Sequence, residues 1–150
     1  MASIEIWAAD PKVVTIANAS GAFTAGDLVQ LDTSGEVKIA AAGKCHGIAR
    51  KTSTGSSSTY IPIELLDPNG LYVVDYATGT ATTEALIGDL VTISSATSGA
   101  QTFTNSSGAE ALVVALHPED GAQSSTSTTY DKKRRLIVRF VSAYIDATAS

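Results

Sequence analysis

The sequence predicts an all-β fold, a small β-barrel or β-sandwich with two related β halves and an extended N-terminal arm. Three observations carry that reading. Short runs rich in Val, Ile, Leu and Thr recur, each bounded by Gly, Ser, Asn or Asp. No apolar spacing sustains a 3.6-residue period for two turns, apart from a short turn around residues 83–87. A Gly-Asp-Leu-Val segment also occurs twice, at Gly26-Asp27-Leu28-Val29 and at Gly88-Asp89-Leu90-Val91.

The elements follow in order. Residues 1–11 read as an arm: Ile4 and Ile6 alternate with Ser3 and Glu5, Trp7 is the single tryptophan, and Asp10-Pro11 breaks the chain. A single β domain then spans 12–146, with a tail at 147–150. Its strands are expected near 12–17, 27–31, 36–40, 45–50, 59–66, 71–76, 89–93, 101–104, 111–117 and 134–144. Within 59–76, Ile61, Ile63 and Leu65 form an apolar face, and Asp67-Pro68-Asn69-Gly70 has turn chemistry. A hairpin is expected there, with Pro62 marking an edge strand or a bulge because it lacks an N–H. The last strand is apolar on both faces, which suits a central position or one covered by a partner. The internal repeat spans 26–76 and 88–142, pairing Gly47-Ile48-Ala49 with Val113-Val114-Ala115. Chance likeness among β-hairpin sequences is the alternative to two related halves. The Ser/Thr-rich stretches 51–58 and 121–129 read as surface loops, or as loops ordered against a neighbouring subunit.

Composition narrows the function. At 150 residues one domain is expected, and a core of that size needs no disulfide or metal. Cys45 is the single cysteine, which fits synthesis in a reducing cytoplasm. The first residues lack the basic start and apolar run of a signal peptide, and no stretch approaches a membrane span. A net charge of −5 repels nucleic acid, so neither nucleic acid nor membrane is an expected partner. Lys132, Lys133, Arg134 and Arg135, with Arg139 beyond, hold half of the ten basic residues. They read as a solvated strand entry or as a salt-bridging contact with an acidic protein. The low charged fraction, 17%, describes a surface suited to close protein–protein packing.

Little in the chain suggests catalysis. Cys45 and His46 are neighbours on an expected strand, so their side chains diverge and form no dyad. His117 before Pro118 reads as an exposed loop residue. Turn chemistry accounts for Asp27, Asp89, Glu119 and Asp120. No phosphate loop, nucleophile elbow or zinc spacing occurs, so the chain is not expected to be an enzyme and no cofactor is expected. Candidate interface residues are Ile4, Ile6, Trp7, Lys132, Lys133, Arg134 and Arg135.

One pattern is familiar. Gly26-Asp27-Leu28-Val29-Gln30-Leu31-Asp32 leads through a Gly turn and a strand to Gly47-Ile48-Ala49. A Ser/Thr/Gly-rich loop and Tyr60-Ile61-Pro62-Ile63-Glu64-Leu65-Leu66-Asp67-Pro68-Asn69-Gly70 follow. The order resembles the capsid decoration (cement) proteins of tailed bacteriophages over residues 12–76 and, through the repeat, 86–142. The Pro-Asn-Gly hairpin departs from that family, and 121–129 looks like an insertion. The resemblance implies a structural virion protein, made in the host cytoplasm and bound to the outside of the capsid. There it would cement neighbouring major-capsid subunits, as a homo-dimer or homo-trimer. The rival readings are a tail or fibre component and a small carbohydrate- or host-surface-binding β domain.

Overall fold

Strands this short and half-apolar gain stability only by stacking sheet on sheet, and the chain does so twice. The computed structural model describes residues 4–10, 12–16, 21–31, 35–41, 45, 47–55, 60–77, 81–105, 110–123 and 134–141. In chain order the first strands are β1 (Glu5–Ala8), β2 (Lys12–Ile16), β3 (Ala22–Phe23) and β4 (Leu28–Leu31). Next come β5 (Val37–Ile39), β6 (Gly47–Ala49), β7 (Ser53–Thr54) and β8 (Ile61–Leu65). The remainder are β9 (Leu71–Asp75), β10 (Leu90–Ser95), β11 (Thr102–Asn105), β12 (Ala111–Leu116) and β13 (Arg135–Phe140). A 3₁₀ turn, Glu84–Leu86, lies where the sequence placed a short turn.

The fold is all-β and sandwich-like. One sheet has the order β2-β8-β6-β4-β5, a second has β1-β9-β13-β12-β10-β11, and β3 with β7 forms a small ribbon. All strand pairs within these sheets are antiparallel. Replacing β2, β4, β5, β6 and β8 by β9, β10, β11, β12 and β13 converts the first order into the second, with β1 added at its edge. The hydrogen bonds repeat as well. Gly26 donates to the Ala49 carbonyl (2.8 Å) and Ala49 to that of Asp27 (2.9 Å); Gly88 donates to Val113 (2.9 Å) and Val113 to Asp89 (2.9 Å).

The Gly-Asp step has a conformational reason. Gly26 and Gly88 take φ of 97° and 93°, and the following Asp27 and Asp89 N–H groups donate back to Thr24 and Leu86 carbonyls. Ile87 before Gly88 has φ −64° and ψ 123°, so this is a type II turn, which favours glycine at its third position. The repeat's register differs from the sequence alignment. Leu28 pairs with Ile48 and Leu90 with Leu112, so Gly47-Ile48-Ala49 corresponds to Ala111-Leu112-Val113, two residues earlier than expected. A bulge between Val113 and Ala115 and a uniformly apolar β12 hid that offset.

The two halves share one core. Leu28, Ala40, Cys45, Ile48 and Leu66 of the first half pack against Tyr72, Val91, Phe103, Val113, Leu136 and Phe140 of the second sheet. The opposite face of the first sheet, with Val29, Val37, Ala49, Ile61 and Ile63, closes over Phe23 of β3. Alternate residues of β4 therefore feed two different cores.

Three expectations are corrected. The 59–76 segment is not a hairpin: β8 pairs with β2 and β6, while β9 crosses to the other sheet and pairs with β1 and β13. The turn itself forms, with Gly70 N–H on the Asp67 carbonyl and Asn69 N–H on Asp67 Oδ1. Burial of Leu66 and Tyr72 between the sheets then sends the chain across. Pro62 is not on an edge strand either. Its carbonyl accepts from Arg50 just beyond the end of β6, so the missing N–H falls where the ladder has run out. The N-terminal segment, finally, is no arm apart from the core. Ile4 is buried in the shared core, and its N–H donates to Gly26 (3.0 Å).

Candidate protein interface

β1 adds to the edge of the second sheet, with Glu5 opposite Val73, Ile6 opposite Tyr72 and Ala8 opposite Leu71. A bulge between Ile6 and Ala8 displaces Trp7 from the ladder. Ile4 anchors the strand inside, while Ile6 (39%) and Trp7 (47%) stay accessible on an edge. The indole meets the His117 ring edge-on, with centroids 5.4 Å apart and planes at 75°.

His117 is buried, contrary to the exposed-loop reading. Its Nδ1 accepts the Glu119 N–H (3.2 Å), and its carbonyl accepts those of Asp120 and Gly121. That tight turn aims Asp120 at Arg135. The Arg135 Nε and its backbone N–H donate to Asp120 Oδ2 (2.9 and 3.0 Å), and an Nη donates to Oδ1 (2.8 Å). Burial raises the Asp120 carboxyl, but hydrogen bonds and charge from Arg135 outweigh it and hold the group below the usual carboxylate range. Those same bonds hold the guanidinium above its ordinary value.

Arg135 is therefore held as an internal clamp on Asp120. Arg134 is half-buried, and its carbonyl accepts from Tyr76 (2.6 Å). Lys132, Lys133 and His46 lie outside the described residues. The structure thus places Ile6 and Trp7 on β1, with Ile4 just before it, and connects Trp7 through the His117 turn to Arg135.

Other polar groups are engaged inside the fold. Glu64 is buried and paired with Arg50. Burial pushes the Cys45 thiol well up, with Glu110 adding to the effect, so it behaves as a core side chain. A shallow cleft of about 450 Å³ lies between Asp10, Lys12 and Leu65-Leu66-Asp67-Pro68-Asn69. The Asp67 carboxylate there accepts backbone N–H groups of Asn69 and Asp10, which keep it below the usual range. Among the described residues no group of three or more His, Cys, Asp or Glu could hold a metal.

Sequence reasoning missed a set of exposed apolar side chains: Val13, Tyr60, Ile87, Val114 and Val141. Period-2 alternation could not single them out, because both faces of several strands are apolar. No protein-family model matches the chain, and no curated protein matches it.

Proposed function

We propose that the chain works by binding other proteins, as a decoration protein that cements major-capsid subunits on the outer surface of a phage head. The observation that carries the protein-binding part is β1, an edge strand with all four residues exposed and with Ile6 and Trp7 on it. An edge strand offers unpaired backbone groups for strand addition, and tryptophan is enriched where truncation costs interfaces most. The capsid as partner rests on the resemblance over residues 12–76. Low charge content and repeated contacts on a symmetric lattice fit that role.

The test is to mix the purified chain with assembled heads that lack it and locate it by electron microscopy. Density at regular positions on the outer surface, lost with Trp7→Ala, is the expected result. Failure to bind heads, or binding confined to tail or fibre, would overturn the capsid reading.

A further inference from the structure

The Trp7–His117 pair joins two unlike settings. Trp7 is 47% exposed on an edge strand, whereas His117, just beyond the end of β12, is 6% exposed. The imidazole is the buried member of the pair, and its hydrogen bonds fix its protonation state. Nδ1 accepts the Glu119 N–H (3.2 Å), which requires a lone pair on that nitrogen and therefore the neutral ring. A proton arriving on Nδ1 would set two donors against each other and break the bond.

The turn does not depend on that bond. The His117 carbonyl accepts from Asp120 (3.0 Å) and Gly121 (3.1 Å), and its N–H donates to the Arg135 carbonyl (3.1 Å). Arg135 clamps Asp120 as well, so the backbone stays in place when the ring lets go. The surroundings also accept a positive charge. Among the described residues, the charged groups on the elements around the ring are Glu119 and Asp120 in its own turn, Arg134 and Arg135 at β13, Asp75 opposite Arg135 on β9, and Glu5 on β1. Acids outnumber the two arginines, and Asp120 lies within electrostatic reach of the ring. Imidazole is the side chain that ordinarily changes charge between about pH 5 and 8.

We propose that His117 is a proton-operated latch on Trp7: the neutral ring holds the indole, and the protonated ring gives up the Glu119 N–H, turns and frees it. Acidification then alters what β1 presents without unfolding the sheet. The latch is a property of the isolated chain. Its effect on a bound partner rests on the reading of β1 as the contact strand.

Two measurements on the full chain test the latch apart from any partner. Trp7 is the single tryptophan, so intrinsic fluorescence reports it alone. Between about pH 8 and 5 its emission should shift to the red and its quenching by acrylamide should rise in one step, with unchanged far-UV circular dichroism. His117→Asn keeps a neutral acceptor near Nδ1 and should abolish the step; His46→Asn, which removes the other histidine, should keep it. In a proton–nitrogen NMR titration of the unaltered chain, the Trp7 indole N–H and the Glu119 amide should move together with one midpoint. Fluorescence that stays flat over this range overturns the proposal. So does a step that survives His117→Asn or vanishes with His46→Asn, or a Glu119 amide that stays put while Trp7 titrates.

Discussion

A methyl group at Gly47 would collide with the Ile63 side chain and the Glu64 carbonyl, because β6 and β8 approach closely there. Backbone cannot yield as a flexible side-chain end can, so Gly47→Ala should destabilise the fold by about 1–3 kcal/mol, read as a lower urea midpoint with unchanged slope. Its counterpart in the second half is already alanine, Ala111, so the constraint is local and not a property of the repeat. The second residue-scale device is the Asp120–Arg135 pair, whose side chains are only 3% and 12% exposed. Removing one partner strands a buried charge, so Asp120→Ala should cost ~3 kcal/mol at neutral pH. The sign of the pH dependence follows from the lowered carboxyl. A folded-state pKa below the unfolded value of about 3.9 gives stability that is complete above that value. It drains away as pH falls through the folded pKa. Chemical denaturation of wild type and Asp120→Asn should therefore converge as pH drops below about 4. Curves that remain parallel would remove the clamp from the account.

At the scale of elements, β1 and the residue that leads into it have two jobs that substitutions separate. Ile4 fills the shared core, whereas Trp7 is nearly half exposed against His117. Ile4→Ala should lower stability by about 2–4 kcal/mol, the usual range for truncating a buried isoleucine. Trp7→Ala should change it by less than ~1 kcal/mol while weakening partner binding. Equal losses in thermal melts of the two variants would mean that Trp7 belongs to the core. The strand positions themselves were legible, because Val, Ile and Leu runs between Gly and Asp turns admit few alternatives. Pairing was not. Asp67-Pro68-Asn69-Gly70 makes the same turn whether the next strand folds back or crosses to another sheet, and only the burial of Tyr72 decides. His117 was read as exposed because local sequence cannot show that Trp7, far away in the chain, lies over it.

For the whole molecule, the repeat could be read from Gly26-Asp27-Leu28-Val29 and Gly88-Asp89-Leu90-Val91, but the way the halves stack could not. Leu28 and Val29 look equally apolar in sequence, yet they enter different cores, and only three-dimensional packing distinguishes them. The stacking makes a strong demand on cooperativity. The face that seals the second half's core belongs to the first half, so neither can expose it without the other losing buried apolar area. A polar clasp reinforces the joint: Gln101 Oε1 accepts the Leu28 N–H (2.7 Å), and Nε2 donates to the Leu28 carbonyl (3.0 Å), both buried. Gln101→Ala would leave the buried Leu28 N–H unsatisfied between the sheets, while its carbonyl keeps the Ala40 N–H (2.9 Å), at a cost of about 1–3 kcal/mol for such a group. Because the joint is shared, that loss should lower one common transition and not release a separate one. In scanning calorimetry both wild type and Gln101→Ala should show a single peak with equal calorimetric and van't Hoff enthalpies, the variant's at lower temperature. Two resolved peaks in the wild type, or a shift confined to part of the transition, would show that the halves fold independently.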